Sequence, residues 1–485
     1  MIRNLIKFKY TAGTGGIGRS LSRYYCTNSG SNREQYDVVI VGGGLVGSAM
    51  ACSLGSSPNT AHLKVALIEG APIQSVQETI VSPVPDIRTI SFNQQTIQLF
   101  KDIGAWDIIK STNRVNPFTQ VRVWDTSGFG GVHFGSSSND IASMDTLEQE
   151  YMGYIIENKV VTASLLERAK SLPNITVRSP LSVQSLENYD INQQAASTST
   201  AGSLPIVRLK DNSEISAKLI IGADGGNSVL KKQLGISSMG KSYNQKAVVC
   251  TLKLGVDQCD SLYQRFLTTG PIALLPLAGG YANIIWSTNN LHANYLLELD
   301  DESFLQQVKH SFLSGDKPSS TDFLGQLFNN YINLNPTNLS GNELYLPPIE
   351  SLVSKRASFP LRTDHTFEYT HSRLCFIGDA SHLVHPMAGQ GVNLGMADVK
   401  SLSKKIGESV RSGYDIGDSM MLKTFEEERK TENMKMMLSI DTLFNIFNNN
   451  TLPMVAMRNF GMSFLNHITP LKKIIVDVSK GKKIF

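Results

Sequence analysis

At 485 residues, 41% of them hydrophobic and 18% charged, the chain has the size for two or three globular domains and too much apolar side chain for a disordered polymer. The formal net charge of +3 originates in residues 1–33, which hold Arg3, Lys7, Lys9, Arg19, Arg23 and Arg33 and no acid; the remaining 39 basic and 42 acidic residues offer no basic field for nucleic acid. Five scattered cysteines, none in a CxxC pair, support no zinc, iron–sulfur or disulfide framework; no metal site is expected, and four of the five read as small buried apolar residues.

The acid-free, Ser/Thr/Gly-rich leader over 1–33 has the composition of a mitochondrial transit peptide, with processing near Arg23-Tyr24-Tyr25. Gly13-Thr14-Gly15-Gly16-Ile17-Gly18 fits a dinucleotide pattern, but Lys7 and Lys9 precede it and it reads as a decoy. The credible copy follows an apolar run of strand formers, Tyr36 to Val41: Gly42-x-Gly44-x-x-Gly47, passing into residues that suit a helix. Gly42 allows the tight turn, Gly44 the approach of a pyrophosphate, Gly47 the close packing of helix on strand. Val65 to Ile68 is a second strand, and Glu69 stands where the ribose hydroxyls of an adenosine need an acceptor.

Residues 71–87 read as loop. Arg88 opens Arg88 to Asn93, and a helical pattern then runs to Gly104; the guanidinium fork suits a pyrophosphate, and a solvated surface arginine is the plainer alternative. Val121 to Trp124 alternates like a strand, Asn158 to Ala169 has helical spacing, and the low-complexity stretch 187–203 reads as a disordered hairpin insertion. Lys218 to Ile221 is a strand leading to Gly222-Ala223-Asp224-Gly225, placed before a helix whose backbone donors would face a ligand. Strands near 247–250, 263–267, 272–277 and 282–287 change the texture to consecutive sheet and mark a second domain. A helix over 301–313 and a short strand over 358–361 follow. Arg373 to Ile377 is a buried strand ending in Gly378-Asp379, and a helix runs from Gly391 to about residue 410. Met/Phe/Leu-rich helices over 433–448 and 452–468 are expected to pack into the core, and the lysine-rich end from Pro470 to touch anionic lipid.

Three motifs now stand together: GxGxxG with Glu69, Gly-Ala-Asp-Gly at 222–225, and Gly378-Asp379 followed by His385-Pro386-x-x-Gly389-Gln390-Gly391-x-Asn393-x-Gly395-x-x-Asp398. With them the sequence resembles the FAD-dependent aromatic hydroxylases, in the ubiquinone-biosynthesis branch, from about residue 36 to the C-terminus. The resemblance implies an α/β (α+β overall) fold: a Rossmann-like FAD-binding domain over 36–115, 151–238 and 364–410, an inserted mainly antiparallel substrate domain over 116–150 and 239–363, and a C-terminal helical region over 411–485. It implies that Gly42, Gly44 and Gly47 hold the FAD pyrophosphate, Glu69 the ribose, Arg88 the phosphates and Asp379, after Gly378, the ribityl chain. Asp224 lies in a motif tied to FAD and pyridine nucleotide, and Pro386, Gly389, Gly391, Val392 and Asn393 line the isoalloxazine. His385, Pro386 and Gln390 are the implied catalytic positions. His385 or His382 is placed to assist phenol deprotonation, with a structural histidine as the plainer alternative. Tyr263 and Arg265 are candidate substrate contacts. Amides of a helix starting near Gly389–Gly391 would stabilise charge on the reduced flavin.

The implied reaction is hydroxylation of a polyprenyl-4-hydroxybenzoate-type ring, at position 5, using O2 through a flavin hydroperoxide. NAD(P)H or a ferredoxin with its reductase would supply electrons, and other ubiquinone-biosynthesis proteins would be partners at the matrix face of the mitochondrial inner membrane. The family's Asp-Gly motif often continues to an arginine; Lys231 stands about there and lacks the bidentate fork. Two alternatives stay open: a hydroxylase or epoxidase of this fold acting on another lipid-like substrate, and a flavin-free escort protein of the GDP-dissociation-inhibitor type.

Overall fold

The run Val38 to Val41 shows no polar alternation because both of its faces are covered. β1 (Glu34–Val41) lies in the middle of a sheet, flanked in parallel by β2 (Val65–Ile68) and β11 (Glu214–Gly222), with Val39 opposite Ala66 and Ile220. β2 continues to β8 (Ile175–Arg178) and β11 to β19 (Leu374–Phe376), both parallel; β18 (Thr370–His371) closes that edge, and the hairpin of β9 (Val183–Glu187) and β10 (Ile206–Leu209) completes an eight-stranded sheet. The computed structural model describes residues 33–126, 131–135, 151–189, 204–313, 346–449 and 451–468, with 472, 475–477 and 481. The leader, most of the 187–203 insertion and most of the lysine-rich end lie outside the described residues.

Helices cover the sheet. On or beside it lie α1 (Leu45–Ser56), α2 (Val76–Ile80), α3 (Gln94–Asp102), α4 (Trp106–Ser111), α5 (Asn158–Lys170), α6 (Val229–Gln233), α9 (Gly391–Arg411) and α10 (Ser419–Asn448), while α7 (Asn290–Glu298), α8 (Asp301–Leu313) and α11 (Leu452–His467) pack on a second sheet. Val38, Ile40, Leu67 and Ile221 pack under residues of α1, α5 and α9, such as Met50, Leu165 and Leu402, while Val39, Ala66 and Ile220 face Val207, Leu209 and Leu230. Cys52 and Cys375 are buried in these layers and Cys250 in the second sheet's core; Cys259 is partly exposed.

The second sheet has nine strands: β5 (Gln120–Asp125), β6 (Gly131–Phe134), β12 (Ser238–Leu254), β13 (Ser261–Leu267), β14 (Gly270–Leu277), β15 (Tyr281–Asn289), β16 (Ile349–Leu352), β17 (Ala357–Thr366) and β20 (His382–Leu383). It is antiparallel except where β13 runs parallel to β5. β3 (Thr89–Phe92), β4 (Asn116–Phe118) and β7 (Gly153–Glu157) form a small third sheet. Two elements exceed the sequence-based expectation. β12 starts at Ser238, its polar first half held by β17, and α10 starts at Ser419, capped by Asp418 accepting from the Met420 amide.

Candidate functional site

Four parallel strands end side by side. After β1 comes Gly42, after β2 Glu69, after β11 Ala223-Asp224, after β19 Gly378-Asp379. Ligands of open α/β sheets bind at such carboxyl ends, where the connections diverge. Here they line a cavity of about 490 Å³ with Gly42, Gly44, Glu69, Asp224, Asp379 and Val392 on its wall.

The glycines are explained by space. A Cβ at Gly47 would fall 1.9 Å from the Gly42 carbonyl oxygen, and one at Gly42, with φ +106°, 2.4 Å from the Ala223 oxygen. At Gly44 a Cβ would meet nothing within 4 Å, because that backbone faces the cavity and caps α1 with no side chain over the first-turn amides. The Glu69 carboxylate accepts the Gly43 amide at 2.7 Å and the Ala71 amide at 2.7 Å, which presents it at the same rim. This cradle fits a pyrophosphate: uncapped amides, no Cβ in the way, and a carboxylate one strand over.

Gly378 takes φ +61° and turns the chain so that Asp379 faces the cavity. Burial raises the pKa of Asp379, and no group among the described residues hydrogen-bonds its carboxylate, so it calls for hydroxyl donors from a ligand. The turn is held from behind by Asp398, a residue of α9 with no solvent exposure. Asp398 accepts the Gly378 amide at 2.9 Å, His382 Nε2 at 2.5 Å and Arg429 Nε at 2.8 Å. Burial alone would raise its pKa; His382 and Arg429 outweigh that and hold the carboxyl well below the ordinary range.

From Asp379 the chain crosses to the second sheet, pairing Leu383 with Asp364, then returns through a 3-10 turn at Pro386–Ala388 to α9. Gly389 is left-handed at φ +60° and Gln390 is the N-cap without a side-chain bond, leaving the first-turn amides of a 21-residue helix uncapped. Val392 reaches the cavity, whereas Asn393 points into the protein. Its amide donates to the Ser91 oxygen at 2.9 Å and accepts from Asn93 N and Thr96 Oγ1, tying α9 to the corner between β3 and α3. The expectation that Asn393 lines a flavin ring is therefore corrected: its side chain is taken up by Ser91, Asn93 and Thr96 and fixes the turn before α9.

His385 is fully buried against Tyr243 and Phe444, with ring centroids 4.6 and 5.4 Å away. Its Nδ1 accepts the Met387 amide at 3.1 Å, which assigns the ring proton to Nε2, and burial lowers its pKa to about 4. A neutral ring with its basic nitrogen occupied is not set up to take a phenol proton. His365 is likewise held near 4 by burial, with Tyr369 Oη at 2.9 Å. Both groups have folded values below the ordinary 6.5, so the folded chain resists protons that the unfolded chain binds between about pH 6.5 and 4. Stability is expected to fall as pH falls through that window. H385N should flatten the fall, measured as denaturant midpoints at pH 7 and pH 5; an unchanged slope would show that His385 is not held neutral.

Other expected residues sit elsewhere. Arg88 is exposed at the start of β3; its carbonyl accepts the amide of Asn158, a cavity residue, but its side chain is not on the wall. Tyr263 and Arg265 are buried in the second sheet, Arg265 donating to the Ser311 oxygen at 3.0 Å and to Thr126 Oγ1 at 3.1 Å. They are packing residues here and reach neither the cavity nor its rim. The expected free donors before α6 are also corrected: Asp224 accepts the Val229 amide at 2.7 Å and Ser228 Oγ the Lys231 amide at 3.1 Å. The other Asp224 oxygen is buried without a partner among the described residues and is the one left for a ligand. Lys231 is spent on Asp364 at 2.6 Å and Thr366 at 3.2 Å. Asp398 was present in the motif but without a role, since what it binds comes from Gly378, His382 and Arg429. Tyr243 gave no signal; a register irregularity between Ser242 and Lys246 aims it at His385.

The glycine cradle, the Glu69 carboxylate beside it and the half-buried Asp379 carboxylate fit a FAD-binding protein, and residues 35–273 and 342–438 match the family described as FAD binding domain. The chain is 62% identical to the mitochondrial ubiquinone biosynthesis monooxygenase COQ6 of Dictyostelium discoideum, over 96% of this chain and 95% of that one, and 34% identical to the Homo sapiens protein of that name, over 91% and 92%. In fold it is similar to PqsL of Pseudomonas aeruginosa, a probable FAD-dependent monooxygenase (TM-score 0.64, 16% identity, 89% of this chain and 100% of that one). It is similar also to p-nitrophenol 4-monooxygenase PnpA of Pseudomonas putida DLL-E4 (TM-score 0.63, 16% identity, 93% and 100%). The chain belongs to the family of FAD-dependent ubiquinone biosynthesis monooxygenases.

Proposed function

We propose that this FAD-dependent monooxygenase hydroxylates a polyprenyl-4-hydroxybenzoate-type ubiquinone precursor at ring position 5. The observation that carries the reading is the junction of the two halves of the site: the dinucleotide cradle and the uncapped start of α9 meet at one cavity, in a chain with 62% identity to a ubiquinone biosynthesis monooxygenase. The chemistry that a bound, reduced FAD would supply is activation of O2, one oxygen atom going to the ring and the other leaving as water. Gly42, Gly44, Gly47 and the α1 amides would hold its pyrophosphate, Glu69 its ribose, and Asp379 and the free oxygen of Asp224 its hydroxyls; Arg88, off the cavity wall, would act on the phosphates only through its long-range charge. The amides of Gly389 to Val392 would stabilise negative charge on the ring. His385, Pro386 and Gln390 shape that turn, and the neutral His385 acts by position.

The unit assigned to the cofactor comprises 36–115, 151–238 and 364–410, with 116–150 and 239–363 assigned to the substrate and 411–485 to a C-terminal helical region. Because Lys231 is engaged with Asp364, the electrons are assigned to a ferredoxin with its reductase in preference to bound NAD(P)H. The relatives are named mitochondrial, which supports residues 1–33 as a transit peptide. We further assign the chain a peripheral place on the matrix side of the inner membrane beside other ubiquinone-biosynthesis proteins, where a prenylated substrate would be met. No described helix is long and apolar enough to cross a membrane.

Purified full chain, supplied with FAD, O2 and a prenylated 4-hydroxybenzoate, is expected to add one oxygen atom at position 5 with ferredoxin and its reductase. Mass and ring-proton spectra of the product check this. Oxygen at another carbon overturns the regiochemistry, no oxygen gain with any donor overturns the substrate, and equal turnover on NADPH alone overturns the protein donor.

A further inference from the structure

α11 carries its polarity on the wrong side for a helix exposed to water. Its one lysine, arginine or acid, Arg458, is turned inward, where Nε meets Asp125 at 2.6 Å and Nη1 donates to the Phe447 and Asn449 carbonyls at the end of α10. Val455, Asn459 and Met462 are buried on the same side. The opposite side presents Pro453, Met457 and Phe464, the last two 54% and 64% exposed, with Phe460 partly exposed between them. Positions 457, 460 and 464 share one stripe, and a stripe facing water would carry charged groups. The expectation that this helix is wholly core packing is thus corrected for half of its surface.

Two further facts say what covers the stripe. At 16 residues α11 is too short to span a bilayer, which leaves the interface plane as the place for such a face. The chain that follows it, residues 469–485, has Lys472, Lys473, Lys480, Lys482 and Lys483 against Asp477 alone, a charge that complements anionic headgroups. We propose that the Met457–Phe464 stripe of α11 is the bilayer-docking surface, seating the enzyme on an anionic leaflet to which the lysine-rich sequence after it adds charge attraction. This rests on the peripheral-membrane location proposed above and names the surface responsible. The buried Arg458–Asp125 pair fixes the stripe relative to β5, so docking would hold the second sheet at a set orientation to the lipid.

The test is flotation of the FAD-loaded full chain with vesicles of phosphatidylcholine alone and of phosphatidylcholine with phosphatidylglycerol. The chain is expected to float with the anionic vesicles, less so in high salt. M457S/F464S should bind them roughly tenfold more weakly, from the apolar area lost. L291S, which removes an exposed leucine of α7, should bind as the unaltered chain does. If the unaltered chain fails to float, the peripheral location is wrong; if it floats and M457S/F464S floats equally, the location stands and the surface assignment falls. A double variant that misfolds, seen as lost flavin, is replaced by F464W. The three native tryptophans are buried, so a blue shift and quenching by brominated lipid report the new side chain, and their absence overturns the proposal. Conversion of a dimer to a monomer by M457S/F464S with flotation unchanged would assign the stripe to a second copy and overturn it as well.

Discussion

Replacing Asp398 by alanine is expected to cost about 3–5 kcal/mol and to empty the cofactor site, because it strands Arg429 and His382 in a dry interior. Asp398 is the only described carboxylate that binds Gly378, His382 and Arg429 together, and each is buried. Its loss frees the Gly378 amide, so the turn that aims Asp379 at the cavity loosens while the helix behind it loses its anchor. The check is a thermal melt of the holoprotein together with flavin content after gel filtration. Removing Asp415, whose partner Arg373 lies on the surface, should change stability by less than about 1 kcal/mol. If D398A melts like D415A and keeps its flavin, the hub is ornamental and the account of the Gly378 turn is wrong.

The second large effect is expected at Gly47. G47A places a methyl group 1.9 Å from a backbone oxygen of Gly42, an atom that cannot swing away. α1 must lift from β1, and the first-turn amides leave the place where a pyrophosphate would sit. The variant should purify without visible flavin absorbance and without hydroxylase activity. G44A makes the instructive comparison, since its methyl group meets nothing within 4 Å of this chain and would enter only the space of the ligand. It should melt as the unaltered apoprotein does, yet bind FAD at least about tenfold more weakly. Equal FAD affinity for G44A and the unaltered chain would show that the dinucleotide does not approach this loop.

The contrast between what was legible in the sequence and what was not follows from the range of the interactions. Strand, glycine turn and helix at 36–56 are dictated by neighbours, and the same holds for Gly378-Asp379 and the start of α9, so these were readable. That the four loops converge was readable only through their motifs, because the parallel pairing of β1 with β11 joins residues 181 positions apart, such as Glu34 and Ile215, without a local trace. The polar first half of β12 has no apolar alternation and becomes strand because β17 pairs with it. Asn393 and Arg265 show the limit for side chains. Their types suit ligand contact, but partners from distant segments, Ser91 and Thr96 for one and Thr126 and Ser311 for the other, occupy them. Lys231 is the reverse case: the missing guanidinium fork was visible in the sequence, and the carboxylate that claims the amine was not.

The grip of Arg458 changes how the end of this chain should be regarded in inherited or engineered variants. Asp125 ends β5 and is buried, yet its guanidinium partner arrives from residue 458, with Asn459 beside it. The same arginine closes the carbonyl end of α10, whose earlier turns supply Arg429 to Asp398. A premature stop after Asn449 would therefore not trim a dispensable tail. It would leave a buried acid at the end of one strand without its cation and unfasten the helix that braces the other sheet, so a late nonsense allele of this protein belongs with the folding defects.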